Sequence, residues 1–268
     1  HFPAVSDPFL LGQRSLAVAA SDLAAMGAAP LAFTLALTLP DVSADWLRAY
    51  AEGLNRMATH CGLALVGGDT TRGPLSLTMT VFGRVPAGQA LTRGGARPGN
   101  LVCVGGELGN AAGALPLVLG EREAEATFAG PLLSHYWSPS PQLALGQALR
   151  GKATAALDIS DGLLADCGHI ASASKVALRL DLQRLPLSPA LLGFLGREQA
   201  RQAALTGGDD YIIAFTLPPA ELDALLEDGW PVHVVGRVEA GSGVSLHDAE
   251  GRDITPAVRG YQHFRETP

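Results

Sequence analysis

"AALDISDGLLADCGHIASAS", Ala155–Ser174, reads as a strand, a tight turn and a helix in direct succession. The apolar run ends in Asp158, Ser160-Asp161-Gly162 turns the chain, and helical spacing follows, with Asp166 on the solvated face. Aspartates at i and i+3 around such a turn can face one cavity. Two readings are open. Ser160 or Asp161 caps the helix, a contribution of about 1 kcal/mol, or Asp158 and Asp161 hold a metal. Capping leaves Asp158 unexplained at the end of an otherwise buried strand.

Outward from this unit, "ALRLDL", "YIIAFTL" and "VHVVGRV" read as further strands and "PPAELDALLEDG" as a helix. Upstream, "LVCVGG" is a strand, residues 110–119 are helical, and a loop-rich stretch runs through "SPSPQ". The first third repeats the alternation. "SLAVAASDLAAMGAAP" is helical with Gly27 as its stop, and "LAFTLALTLP" alternates as a strand. A second helix runs from an N-cap at Ser43 to Gly62. In "LVGGDTTRGPLSLT", Leu65–Thr78, a strand from Leu63 to Val66 enters a glycine turn bearing Asp69, and an alternating strand leaves it. Asp69 is either a plain turn residue or a metal ligand at a strand end. The expected class is α/β (α+β) with two domains. The Gly- and Pro-rich stretch Arg84–Asn100 is the candidate linker, dividing the chain into 1–95 and 96–268.

The 268 residues are 47% hydrophobic and 17% charged, the balance of a folded protein with a sizeable core. A net charge of −7 argues against a nucleic-acid partner. No apolar stretch reaches membrane-spanning length and no signal segment opens the chain, so a cytoplasmic protein without membrane contact is expected. Cys61, Cys103 and Cys167 form no CxxC spacing and read as core thiols of a reducing compartment. The histidines show no zinc spacing, and His135 and His169 read as packing or capping residues. There is no P-loop and no kinase lysine set, and Lys152 and Lys175 are the two lysines of the whole chain.

Other candidates share one pattern, in which charge stands beside glycine. Ser21-Asp22 precedes Gly67-Gly68-Asp69 by about the distance that separates Ser160-Asp161 from Gly207-Gly208-Asp209, so each half would supply two acidic turns. The adjacent Asp209 and Asp210 repel unless donors or cations offset them. They are a polar strand start or a site for amines, hydroxyls or metal. Arg93 in "LTRGGARPGN" is a surface arginine or a phosphate ligand. "VGGELG" resembles a phosphate-cradling loop, a weak signal alone.

Taken in order, "SDLAAMGAAP", "LVGGDTTRGPLSLT", "ALTRGGARPG", "LDISDGLLADCGHI", "LTGGDDY" and "GYQHF" resemble the thiamine-monophosphate kinase family. The resemblance runs from His1 to Phe264. The parent group is the aminoimidazole ribonucleotide synthetase superfamily, whose two domains are each a mixed sheet with helices on it. It implies transfer of the ATP γ-phosphoryl group onto thiamine monophosphate, giving thiamine diphosphate. It also implies several Mg²⁺ ions held by Asp22, Asp69, Asp158 and Asp161. ATP would meet Gly68, Asp69, Arg93 and Ser160, and thiamine monophosphate would meet His1, Asp209 and Tyr261. A homodimer built on the N-terminal domain is implied too. No side chain need act as a general base, because the attacking phosphate oxygen is already anionic. Two departures are small: Asp209 replaces a family glutamate and Gly94 a serine. The family carries further metal ligands upstream of a His-Phe pair, and the sequence opens on that pair. The missing segment is therefore expected to leave this chain catalytically poor. The alternatives are another ATP-using enzyme of the superfamily and a nucleotide-binding protein without catalysis.

Overall fold

The computed structural model describes residues 2–3 and 6–261. The N-terminal half is built on two antiparallel helices. α1, Pro8–Ala25, starts at Asp7, whose carboxylate accepts from the Phe9 and Leu10 amides. α2, Ala44–Cys61, starts at Ser43 and ends on a left-handed Gly62, as its sequence signals. Gly12 and Gly53 let the two backbones touch, since a Cβ at either would collide with the other helix. Leu16, Ala20, Leu54 and Met57 seal the seam and bury Phe33 of the sheet below.

That sheet has three strands in the order β2-β1-β3: β1 Ala29–Leu39, β2 Ala64–Arg72 and β3 Ser76–Arg84. β2 runs parallel to β1 and β3 antiparallel to it, so the sheet is mixed. The glycine pair lies differently from the expectation. β2 runs straight through Gly67, Gly68 and Asp69, and the turn comes later, at Gly73-Pro74. Gly68 has φ +147° and lies against the Leu35 carbonyl, where no side chain fits. The glycine is needed for strand–strand approach within a bulged register, which pairs Asp69 with Ala36.

Residues 85–100 form the connection. Beyond it come β4 Leu101–Val104, α3 Asn110–Val118, α4 Ala126–Trp137, α5 Leu143–Ala148, β5 Ala155–Asp158, α6 Leu163–Ser174, β6 Ala177–Asp181, α7 Pro189–Thr206, β7 Ile213–Leu217, α8 Leu222–Glu227, β8 His233–Glu239 and β9 Gly243–His247. The strands make one six-stranded sheet, β5-β7-β4-β8-β6-β9, antiparallel except for the β6–β9 pair. α6 and α7 pack on one face of it. On the other face Cys103, Phe215 and Leu145 meet Ala24 of α1 and Leu91 of the connection. α1 is thus shared by both halves. The stretch expected to be loop-rich before "SPSPQ" holds α4, which pairs with α3 and the kinked α7 around Leu132 and Leu191. All three cysteines are buried and unpaired. Among the described residues no helix is long and apolar enough to cross a membrane.

Candidate functional site

Where α1 meets the end of β5, a cavity of about 360 Å³ opens, and Asp22, Arg93, Asp158, Ser160 and Asp161 line it together. They come from three separate stretches of the chain, with Asp22 and Asp161 at the two extremes. β5 delivers Asp158 at its last position, and the turn before α6 delivers Ser160 and Asp161. Asp22 arrives from a helix, not from the acidic turn that the internal echo suggested. The Ser21 hydroxyl donates to Asp158 Oδ2 at 2.7 Å, tying α1 to β5. Loss of hydration and the nearby Asp158 charge raise the Asp22 carboxyl, while Arg93 pulls it back.

The turn is not capped by Ser160 or Asp161. Gly162 occupies the N-cap position without a side-chain bond. Asp166 takes the capping role from inside the helix: its Oδ2 accepts from the amides of Ser160 at 3.0 Å, Asp161 at 2.9 Å and Gly162 at 3.1 Å. It is 4% exposed, which corrects the solvated-face expectation. Burial pushes its carboxyl up to about 7, against the pull of the amide donors.

The neighbouring carboxylates of "GGDDY" solve their repulsion separately. Asp209 Oδ2 pairs with the Arg14 guanidinium at 2.9 Å, and its Oδ1 accepts from the Tyr211 hydroxyl at 2.8 Å. Asp210 turns the other way and accepts from the Gly109 amide at 2.8 Å, with Asn110 and Ala111 adding to it. It fills the N-terminus of α3. The "VGGELG" loop, read above as a weak phosphate cradle, therefore already holds the protein's own carboxylate. Burial pushes Asp210 up to about 7 and lowers His135, whose ring nitrogen lies 3.3 Å from the Asp210 carbonyl. Asp209 and Tyr211 both hold positive φ, +71° and +51°, a strained backbone bordering the cavity. Tyr261 approaches from the C-terminal side, its amide donating to the Asp161 carbonyl at 3.0 Å.

Not every expected residue converges. Gly68 and Asp69 lie on β2, outside the residues that line the cavity, and Asp69 accepts from the Thr70 amide next to it. His1 lies outside the described residues. Among the described residues no three His, Cys, Asp or Glu side chains form a ready cage for a metal ion. Arg14, Ser21 and Asp166 escaped the sequence reading. Arg14 and Asp166 carried no glycine beside them, and Ser21 was noticed only as Asp22's neighbour. A second cavity, of about 310 Å³ on the far side of the six-stranded sheet, is lined by Arg179, Arg184 and Arg237. Asp181 and Glu239 neutralise the last two.

Residues 1–85 match the family model for the AIR synthase related protein N-terminal domain, and residues 97–249 match that for the C-terminal domain. Fold and cleft together define a two-domain AIR synthase related protein. The chain is 43% identical to the thiamine-monophosphate kinase of Escherichia coli strain K12, over 98% of this chain and 83% of that protein. Its fold matches the crystal structure of thiamine-monophosphate kinase from Stenotrophomonas maltophilia K279a with a TM-score of 0.88 and 45% identity, covering 92% of this chain and 81% of the other. It also matches AaThiL complexed with AMPPCP and TMP, with a TM-score of 0.88 and 29% identity over 98% of this chain and 83% of that one. The chain belongs to the thiamine-monophosphate kinase family.

Proposed function

We propose that this protein phosphorylates thiamine monophosphate with ATP in the cavity between α1 and β5. The observation that carries the reading is the meeting of Asp22, Asp158 and Asp161 with Arg93 and Ser160 in one cleft, in a chain whose relatives are thiamine-monophosphate kinases. A terminal phosphate oxygen of thiamine monophosphate forms a bond to the γ-phosphorus of ATP. The bond from that phosphorus to the β,γ-bridging oxygen breaks, and ADP leaves. Arg93 and the Ser160 hydroxyl orient the nucleotide phosphates. Asp209 and Tyr261 stand on the acceptor side of the turn, and we assign His1 there too.

The donor set fits a hard divalent cation. Asp22 and Asp158 repel each other with Arg93 as partial relief, and magnesium needs only one or two carboxylates when phosphates and water complete its shell. Asp22, Asp158 and Asp161 would hold it, and when bound it would neutralise charge between the two polyanions. Gly68 and Asp69 enter this reading through a second copy of the chain. β2 is exposed along its whole length, and we infer that a homodimer partner covers the sheet and brings nucleotide to that strand. Three unpaired buried thiols suit the cytoplasm.

A coupled assay for ADP release tests the reading. Release should require thiamine monophosphate and a divalent cation, and free thiamine should not substitute. Equal ADP release with and without thiamine monophosphate would reject it.

A further inference from the structure

The turn that delivers Ser160 and Asp161 has two sides. Its side chains face the cavity. Its carbonyls hold the Asp209–Tyr211 turn and the C-terminal tail. Ile159 O accepts from the Tyr211 amide at 2.8 Å, Ser160 O from the Asp209 amide at 2.9 Å, and Asp161 O from the Tyr261 amide at 3.0 Å. The packing is too close for side chains. A Cβ on Gly208 would collide with Ser160 O, and one on Gly260 would lie 2.5 Å from Asp161 O. The turn's amides are spent on one atom, Asp166 Oδ2, buried beneath it. Every backbone amide and carbonyl from Ser160 to Gly162 is thus tied either to Asp166, whose own amide donates to the Gly162 carbonyl at 3.0 Å, or to the Asp209 and Tyr261 amides.

We infer that the Ile159–Gly162 turn mechanically couples the nucleotide and acceptor subsites, and that Asp166 is the positioning residue that sets its place. Asp166 borders the cavity, but its Oδ2 is spent on the turn's own amides. It fixes three amides, the amides fix the peptide planes, and those planes aim Asp161 and Ser160 into the cavity and hold Asp209 and Tyr261 behind the turn. The assignment of the two sides rests on the function proposed above; the coupling itself does not. A rigid link of this kind suits a reaction that needs two phosphates in line, where a displacement of about 1 Å reduces turnover about 100-fold.

The test uses Asp166→Ala, Asp166→Asn and Gly260→Ala in the full chain. Nucleotide affinity is read by calorimetry with Mg²⁺ and a non-hydrolysable ATP analogue, and turnover by the ADP assay below each variant's melting temperature. Asp166→Ala should lower kcat about 100-fold and weaken nucleotide and acceptor together. Its amides at 160–162, and also those at 209, 211 and 261, should exchange faster with deuterium. Asp166→Asn, which keeps a carbonyl acceptor, should recover part of the loss. Gly260→Ala presses on the Asp161 carbonyl from the tail that carries Tyr261, and should weaken nucleotide binding as well as raising the acceptor KM. A folded Asp166→Ala protein with unchanged nucleotide affinity and unchanged exchange at 209, 211 and 261 would overturn the inference. So would Gly260→Ala raising the acceptor KM with nucleotide affinity intact, and that variant decides alone if Asp166→Ala fails to fold. Should the wild type show no activity on thiamine monophosphate, the proposed reaction falls, while analogue binding and exchange still decide the coupling.

Discussion

Asp209 and Asp210 are adjacent in the chain and have opposite surroundings. Asp209 keeps a side chain 37% exposed and leans on Arg14, whereas Asp210 is sealed against the first amides of α3. The sealed one yields a pH prediction. Its folded carboxyl titrates at about 7, above its ordinary 3.8, so between those values the folded state holds a proton that the unfolded chain has released. Stability from this group is fully present below about pH 4 and is lost as pH rises through about 7. His135, depressed by burial, works in the other sense: it costs stability as pH falls below its ordinary 6.5. Asp210→Asn removes the first effect and leaves the second. The melting temperature of wild type minus that of Asp210→Asn should therefore be more favourable at pH 5 than at pH 8. A difference that does not change with pH would show that Asp210 is charged throughout. At this scale the sequence disclosed the carboxylates and hid their partners. Asp158, Asp161 and Asp209 announce themselves by standing beside glycines and strand ends. Asp166 looks like any helical aspartate, because its role depends on the turn folding back over it.

α1 shows how one element gathers a site. Arg14, Val18, Ser21 and Asp22 follow helical spacing, so one stripe of the helix faces the C-terminal half. Arg14 sits at its start, 3% exposed, 4.0 Å above the Tyr136 ring and donating to the Tyr136 carbonyl. Ser21 and Asp22 sit two turns on, at the Asp158 end. Arg14→Met keeps the length of the stem and removes the charge beside Asp209. Since a bond to a charged group contributes about 1.5–3 kcal/mol, the acceptor KM should rise about tenfold or more, with the ATP KM moved much less. Steady-state kinetics with each substrate varied in turn checks this; equal changes in both would assign Arg14 to folding alone. The helix was readable from its periodicity, and so were β1, α2 and most strands of the larger sheet. α7 was not, because Gly193 and Gly196 punctuate it and Gly196 does break its geometry. α4 carries an internal Pro131, and β9 is five residues that begin on glycine. The misread glycine pair of β2 has the same origin: glycine marks close backbone approach as readily as a turn, and sequence cannot tell which backbone comes close.

The whole molecule has an unbalanced N-terminal sheet. One face packs on α1 and α2 through Phe33, with Leu35 and Leu77 beside it. The other presents Ala32, Thr34, Ala36, Thr78 and Thr80, flat and uncharged, with Phe82 45% exposed at its margin. β2 is an edge strand that leaves Leu65 54% and Val66 63% exposed. A long exposed edge with apolar residues on it is an invitation to aggregate unless something pairs with it or covers it. A two-fold partner does so with one self-complementary patch, and an interface of about 800 Å² per partner is of ordinary size. The same partner would place Gly68 and Asp69, which lie outside the cavity of one copy, where nucleotide can reach them. Oligomeric state and activity should therefore fall together. Sedimentation or light scattering at micromolar concentration should give twice the chain mass for the wild type. Leu65→Glu puts a charge on the edge strand with little effect on the buried core, so it should yield a folded protein of single-chain mass with turnover reduced about 100-fold, the loss expected when one stabilising contact is removed from the transferring group. A wild-type protein that is monomeric under assay conditions and fully active would refute both the dimer and the place given to Asp69.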